Sequence, residues 1–232
     1  MAKPGPGASR WVEVAPERIT GWIGSFVHRH GETSAEPGPD AVVFRAADGT
    51  VAACHLPFPP LPPGPDAGDR PRMMARQAEL IAAHCAADRT VGVLLVRLGG
   101  YAAGVFTGSP PHLEASKVGS RLVHGRSAAG GQSQQRFARR REKQAANALT
   151  AAANTAAAVF GPYLRRLDAV VLGGDRRAVT GLRDDPRLRP YFDLAVERFL
   201  TVPDPRLVVL RETPRMFRAV RIQITDGEGV SQ

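Results

Sequence analysis

Residues 130–135 read G-G-Q-S-Q-Q, and a strongly basic run, R-F-A-R-R-R-E-K, follows at once at residues 136–143. Adjacent glycines adopt backbone angles that other residues avoid, and they leave room for a bulky partner to approach the main chain. A glutamine beside them offers amide donors, an acceptor and its own backbone N–H without a titratable group. Together with the basic run, this combination suggests hydrolysis of a substrate that is held on RNA.

Cations outnumber carboxylates around this loop, because Glu142 is the one acidic residue between positions 117 and 143. Positive charge near the amino end of a helix opposes the helix dipole, so a cluster there favours binding of an anion such as RNA phosphate. A flexible surface loop beside a solvated basic face explains the same pattern, and polar residues beside glycines are by themselves a weak signal. The candidate RNA-binding residues are Lys117, Arg121, His124, Arg126, Arg136, Arg139, Arg140, Arg141 and Lys143.

Composition and charge narrow the class of protein. The chain has 232 residues, of which 43% are hydrophobic and 23% charged, as is usual for a folded protein with its own core. Its formal net charge of +9 predicts a polyanionic partner. Nucleic acid is favoured over a membrane, because no apolar run is long enough to span a bilayer and the cations do not oppose a large apolar helix face. Since the amino end lacks the apolar core of a signal peptide, we expect a cytoplasmic protein.

The sequence contains no clear motif for binding a metal or a cofactor. Cys54 and Cys85 lie far apart and outside any C-x-x-C pair, so we expect two small buried residues instead of a zinc or redox site. Neither the G-x-x-x-x-G-K-[ST] nor the G-x-G-x-x-G phosphate loop is present. The sequence therefore predicts no metal and no cofactor. The histidines that could join the cysteines lack familiar ligand spacing: His28, His30, His55 and His84.

Several local patterns precede the basic loop. Residues 11–14 alternate like a strand, and the spacing of apolar residues after them predicts a helix that ends near Gly31. A D-G pair between two apolar runs predicts a hairpin of strands 41–45 and 50–54. The proline-rich residues 58–65 indicate an extended linker.

The larger part of the chain is predicted to be a layered α/β domain with a mixed sheet and flanking helices, because strand and helix patterns alternate along it. We expect an amino-terminal extension with its linker at residues 1–66 and this domain at residues 67–232. The predicted strands are 91–97, 101–107, the shorter and more polar 112–117 and 120–123, then 169–174 and 218–224. The predicted helices are 72–87, a long basic helix with an alanine stripe at 134–163, then 177–182 and 191–200.

The loop and the helix after it resemble those of a known family. Residues 124–139, H-G-R-S-A-A-G-G-Q-S-Q-Q-R-F-A-R, look like the GGQ loop and following helix in the catalytic domain of archaeal and eukaryotic class-1 peptide release factors. The strand hairpin before the loop and the strand after the long helix stand in the order of that domain, whose fold is RNase H-like. The chain is more similar still to the Vms-like release factors (VLRF), in their small actinobacterial-type branch, which free nascent chains from stalled ribosomes. The likeness covers roughly residues 90–225.

The two family patterns point to different catalytic glutamines. The GGQ pattern assigns Gln132, and the G-x-x-Q pattern of the VLRF proteins assigns Gln134, which we favour because that family is closer. In both, Gly130 and Gly131 would let the loop approach crowded RNA groups. The resemblance implies a codon-independent peptidyl-tRNA hydrolase that acts as a monomer, without a cofactor, at the peptidyl transferase centre of the large ribosomal subunit. Its partners would be peptidyl-tRNA and ribosomal RNA.

Two other classes remain open on the sequence. A ribosome- or tRNA-binding rescue adaptor that had lost hydrolysis would keep the basic surface, although the intact glutamine motif argues against it. A metal-dependent nuclease would need acidic residues to converge on a metal ion, and their spacing does not predict this. The aspartates concerned are Asp168, Asp175, Asp184 and Asp185.

Overall fold

The computed structural model describes residues 9–62, 70–97, 99–120 and 133–227, with the backbone alone at 70–72 and 133–142. The chain forms two compact units. Met1–Ala87 and Arg218–Gln232 make the first unit, and Asp88–Phe217 make the second. This division differs from the predicted boundary at residue 66, because the helix after the proline-rich segment and the last strand both belong to the first unit.

The first unit is an antiparallel sheet packed against two helices. Its elements are strands β1 Ser9–Val14, β2 Thr33–Pro37, β3 Ala41–Ala46, β4 Val51–His55 and β10 Val220–Thr225, and helices α1 Ile19–His30 and α2 Arg70–Ala86. The strands lie in the order β1-β10-β4-β3-β2, and each neighbouring pair is antiparallel. Alternate strand residues such as Phe44 and Ile222 are buried with Phe26 of α1. The period of two in the sequence therefore produces one apolar face, which the helices cover.

The second unit is built on a mixed five-stranded sheet. Its strands are β5 Val91–Arg97, β6 Gly100–Thr107, β7 His112–Ser120, β8 Ala169–Gly174 and β9 Ala195–Leu200. They lie in the order β7-β6-β5-β8-β9, with β6 antiparallel to both of its neighbours and β8 parallel to both of its own. The predicted class, a layered mixed sheet with flanking helices, is confirmed, and β7 is an edge strand.

Helices cover both faces of the second sheet. They are α3 Ser133–Phe160, α4 Arg176–Thr180, α5 Arg189–Asp193 and α6 Leu207–Phe217. Ala103 and Val105 of β6 are buried with Ala156 of α3. Gly104, between them, faces α6, because a Cβ at this position would lie 2.9 Å from Cδ2 of Leu210. Successive side chains of a strand point to opposite faces, so α3 and α6 lie on opposite sides of the sheet.

One expected element differs from the structure, and two observed elements were not predicted. The helix predicted at residues 191–200 is wrong, because α5 ends at Asp193 and the chain continues as β9. Parallel pairing with β8 provides the hydrogen bonds of β9, and the local sequence does not reveal such a partner. Strand β2 and helix α6 were not predicted, since Pro37 and Pro214 within them are residues that usually break these elements. Among the described residues, no helix is long and apolar enough to cross a membrane.

Candidate functional site

The glycine-glutamine loop joins the edge strand β7 to the long helix α3. β7 ends at Ser120 and α3 begins at Ser133. Between them lie candidate residues that are outside the described part of the chain: Arg121, His124, Arg126, Gly130, Gly131 and Gln132. The next candidates lie on the first turns of α3 and are described by their backbone alone: Gln134, Arg136, Arg139, Arg140 and Arg141.

Helix α3 is anchored by its carboxyl-terminal half. Ala152, Ala156 and Phe160 are fully buried in the core of the second unit. By contrast, residues 143–151 are all exposed or half-buried. At a rise of about 1.5 Å per residue, Ser133 lies about 28 Å along the helix from Ala152. The loop is therefore attached to the far end of a helix whose opposite end is fixed in the core.

Lys117 and Lys143 are the candidate RNA-binding residues whose side chains are described, and both are exposed. Lys117 lies on β7 directly opposite Ala103 of β6. Because opposed residues of an antiparallel pair point to the same face, Lys117 lies on the side of the sheet that α3 covers. Lys143 is on α3 itself. The structure thus brings two of the predicted cations to the same side of the sheet.

The end of β7 is fixed from both faces of the sheet. Gly119 lies against Tyr101 of β6, whose ring fills the space that a Cβ would need. Gly100, which pairs with Ser120, lies under Pro205, whose Cδ is 3.4 Å from the position of a Cβ. Glycine permits the close approach of the ring at Gly119, whereas a Cβ at Gly100 would be in ordinary contact with the proline. These contacts fix the point at which the chain leaves the sheet for the loop.

The carboxyl end of β8 lies in the same row of the sheet. The register pairs Gly174 with Val96, Val96 with Tyr101, and Tyr101 with Gly119. Neighbouring strands are about 4.8 Å apart, so Gly174 and Gly119 are about 14 Å apart across this row. Whatever follows β8 therefore begins close to the base of the loop.

A capped turn follows β8. The Asp175 backbone N–H donates to the carbonyl oxygen of Val96 at 2.7 Å. Its carboxylate accepts hydrogen bonds from the backbone N–H groups of Arg177 and Ala178, at 2.8 and 3.3 Å, and so caps α4. Sequence reasoning placed a short helix here but missed the cap, although an aspartate directly before a helix is a start signal.

The aspartates that a nuclease would require have other roles. The Asp168 carboxylate accepts a backbone N–H at 2.7 Å, Asp175 caps α4, and Asp184 is exposed. The Asp185 carboxylate accepts from the Arg187 guanidinium at 2.6 Å, and this hydrogen bond holds the pKa of Asp185 below its usual range. No group of three His, Cys, Asp or Glu side chains in the described ranges is placed to hold a metal ion.

The cysteines and nearby histidines belong to the first unit and pack as structural residues. Cys54 and Cys85 are both buried, as predicted, and burial raises the pKa of the Cys54 thiol. His30 Nδ1 lies 2.8 Å from Oδ2 of Asp48. His84 Nε2 lies 2.6 Å from a backbone carbonyl oxygen. Each of these side chains thus has a hydrogen-bond partner or a buried environment, which is consistent with a structural role.

Comparison with known proteins places the chain among the release factors. Residues 89–223, more than half of the chain, match the family described as the Actinobacteria/chloroflexi VLRF1 release factor. The chain belongs to this family, and the resemblance drawn from the loop sequence is confirmed. No curated protein matches the chain.

Three solved structures are similar to the chain at low identity. The archaeal translation termination factor aRF1 is 14% identical with a TM-score of 0.42, over 75% of this chain and 51% of its own. The chain thus spans about half the length of that factor. The Vms1 mitochondrial localization core is 11% identical with a TM-score of 0.33, over 78% of this chain and 75% of its own. Pelota of Archaeoglobus fulgidus is 10% identical with a TM-score of 0.29, over 93% of this chain and 66% of its own.

Proposed function

We propose that this protein is a codon-independent peptidyl-tRNA hydrolase that frees nascent chains from stalled ribosomal complexes in the cytoplasm. The observation that carries the proposal is the G-G-Q-S-Q sequence, which follows the edge strand β7 and runs into the first turn of the basic helix α3, in a member of the VLRF1 release factor family. The proposed partners are the large ribosomal subunit at its peptidyl transferase centre, peptidyl-tRNA and ribosomal RNA. The protein acts as a monomer and needs no cofactor.

The reaction is attack of water on the ester that joins the nascent peptide to the terminal ribose of tRNA. It needs a positioned nucleophile and stabilisation of developing charge more than it needs a strong base. A neutral amide can serve both needs, because its side chain orients water while its backbone N–H donates to the developing oxyanion. Gln134 is our favoured residue for this role, and Gln132 is the alternative. Ribose hydroxyl and ribosomal RNA groups supply the remaining chemistry.

The geometry around the loop supports delivery into a crowded RNA site. The loop is attached at the far end of a helix whose buried anchor begins about 28 Å away, at a rise of about 1.5 Å per residue. Gly130 and Gly131 remove side-chain bulk where the main chain would meet RNA. The basic residues on the first turns of α3 bind phosphates, which positions the loop without reading sequence. In this proposal the contacts come from Arg121, His124, Arg126, Arg136, Arg139, Arg140, Arg141 and Lys143, with Lys117 on β7.

The test is release of labelled peptide from purified stalled ribosome–nascent-chain complexes and from split large subunits. The variants are Gln132→Ala and Gln134→Ala, with Gln135→Ala as a matched control from the same run of glutamines. We expect one of the first two substitutions to slow release by on the order of 10²-fold or more, as when a catalytic amide that stabilises an oxyanion is removed. Binding to the complexes should not change, and Gln135→Ala should release peptide at the native rate.

Two results would contradict the proposal. If the native protein bound the complexes but released no peptide, the chain would be a non-catalytic rescue adaptor. If all three glutamine variants released peptide at the native rate, the reaction would not depend on any of these glutamines. Comparison of Gln132→Pro with Gln132→Ala tests the backbone N–H at this position, because both substitutions remove the side-chain amide and only proline also removes the N–H.

A further inference from the structure

The two ends of the second unit's sheet differ in charge. We call the end formed by the last residues of β5, β7 and β8, Arg97, Ser120 and Gly174, the carboxyl edge. Helices α4 and α6 both begin there, since α4 follows β8 and Pro205, just before α6, packs on Gly100. The glycine-glutamine loop leaves the sheet from the same edge.

Arginines gather on both faces of the carboxyl edge. Arg176 and Arg177 begin α4 on the α3 side of the sheet, and Arg206 directly precedes α6 on the opposite side. All three are exposed. Among the described residues no carboxylate forms an ion pair with any of them. Arg97 lies between them and is different, because its Nη1 donates to a backbone carbonyl oxygen at 2.8 Å and its Nε is 3.8 Å from Asp204.

The acidic groups at this edge are already engaged in the described part of the chain. Asp175 uses its carboxylate to cap α4, and Asp204 is the residue beside Arg97. The guanidinium of Arg176 lies over the ring of Phe199, 4.4 Å from its centroid, which orients the group while leaving its N–H donors free for a ligand. The carboxyl edge therefore carries four arginines against two carboxylates, and three of these arginines form no ion pair in the described part of the chain.

The opposite end of the sheet is balanced. Where β5, β7 and β8 begin, three arginines are matched in number by three carboxylates, of which Asp88 and Asp168 each accept a backbone N–H, at 3.0 and 2.7 Å. The charged residues at that end are Arg89, Arg165, Arg166, Asp88, Glu114 and Asp168. The excess of positive charge is thus specific to the end from which the loop departs. If the arginines were only a solvent-exposed surface without a ligand, this difference in net charge between the two ends would have no explanation.

We propose that the carboxyl edge binds an RNA backbone, with Arg176 and Arg177 on one face and Arg206 on the other in contact with phosphates. The proposal rests on the proposed function, since it takes RNA to be the partner of the loop, and it adds a contact outside the loop and α3. Gly174 lies about 14 Å from Gly119 across strands spaced about 4.8 Å apart, a distance that a few nucleotides of one RNA strand can bridge. The contact positions the loop and does not take part in hydrolysis.

The chain offers a closely matched control for this site. Arg176 and Arg177 are adjacent, and the first of them stacks on an aromatic ring. At the other end of β8, Arg165 and Arg166 are also adjacent and exposed, and Arg166 lies over the ring of Tyr163, 5.7 Å from its centroid. The two pairs therefore share their charge, exposure and one stacked member. They differ in the end of the sheet on which they lie.

The experiment measures binding of the full chain to a fluorescent RNA hairpin with a single-stranded 3′ end, by anisotropy over a series of salt concentrations. The variants are Arg176→Gln with Arg177→Gln, Arg165→Gln with Arg166→Gln, and the charge-retaining pair Arg176→Lys with Arg177→Lys. We expect the first pair to weaken binding on the order of tenfold and to reduce the slope of log K against log salt by about 1.4–1.8, which corresponds to two phosphate contacts. The control pair and the lysine pair should keep the native slope.

The outcomes separate this inference from the proposed function. Equal losses for the two glutamine pairs would indicate a general effect of charge and overturn the inference, as would an unchanged slope for the first pair. If polyglutamate bound as tightly as the RNA hairpin, the partner of the edge would be an acidic protein, and the inference would be overturned. Peptide release is measured in parallel. If release still requires Gln132 or Gln134 while the Arg176→Gln and Arg177→Gln pair leaves RNA binding unchanged, the inference fails and the hydrolase proposal stands. Thermal unfolding of each variant controls for folding.

Discussion

The turn after β8 provides a sharp test of the geometry at the carboxyl edge, through the substitution Gly174→Ala. Gly174 has a φ of 102°, in the region that favours glycine. A Cβ at this position would overlap the carbonyl oxygen of Val96 and lie 2.8 Å from its carbonyl carbon. The same carbonyl accepts the Asp175 N–H at 2.7 Å, so a shift of Val96 also disturbs the bond that starts the turn into α4.

The loss of unfolding free energy in Gly174→Ala has two separate contributions. A left-handed backbone costs about 1–2 kcal/mol for a residue with a Cβ. Moving a packed strand to relieve the overlap costs about 1–3 kcal/mol more. The sum predicts that Gly174→Ala lowers the free energy of unfolding by about 2–5 kcal/mol, with a middle value of about 3.5 kcal/mol. At about 2–4 °C per kcal/mol for a chain of this size, the middle value lowers the unfolding transition by about 7–14 °C.

Gly108→Ala is the matched control, measured by thermal and urea unfolding beside Gly174→Ala. Gly108 belongs to the same unit and has a φ of 88°, but its nearest neighbour is the side chain of His112, 3.1 Å from the position of a Cβ. A flexible side chain can move, so this variant should lose the backbone cost alone, about 1–2 kcal/mol. Equal losses in the two variants would refute the steric argument. A Gly174→Ala protein as stable as the native chain would refute the whole of the reasoning.

Two further predictions concern aspartates of the second unit whose carboxylates accept backbone hydrogen bonds. Asp175→Ala should lower the free energy of unfolding by about 1 kcal/mol, because the start of α4 loses its cap, whereas Asp175→Ser should retain most of it; urea unfolding of both variants is the measurement. The Arg187 guanidinium lowers the pKa of Asp185 from 3.8, so their pairing stabilises the fold fully above about pH 4 and is lost as the pH falls through the lowered value. The gap in unfolding free energy between the native protein and Asp185→Asn should therefore narrow between pH 5 and pH 2, and a gap independent of pH would contradict it.

Local patterns predicted the elements whose own residues determine them. The hairpin of β3 and β4 follows from a D-G turn between apolar runs, and Gly49 has the positive φ, 83°, that this turn requires. Helix α3 follows from a long stretch of strong helix formers, and its alanine stripe is buried in the carboxyl-terminal half of the helix, with Ala152 and Ala156 at 0% exposure. The candidate loop was found in the same way, because glycines, glutamines and arginines adjacent in sequence form one motif.

These local patterns could not predict the pairing between segments that are distant in sequence. β9 looks helical in isolation, and only its parallel ladder with β8 makes it a strand. Gly119 reads as an ordinary strand glycine, but its role at the base of the loop depends on Tyr101, which is brought opposite by the register. Arg176 and Arg177 are separated from the loop by the whole of α3, so nothing in their local sequence marks them as neighbours of its base.

The path of the chain through the last strand bears on the domain boundary that was expected from the sequence. β10 lies between β1 and β4 in the first unit, so the chain leaves that unit after α2 and returns to it after α6. The second unit is thus an insertion with both of its ends joined to the first. Residues 89–223, which match the VLRF1 family, extend into β10, and this segment alone would lack both strands that pair with it. The first unit is therefore required to satisfy the backbone hydrogen bonds of a strand within the matched region.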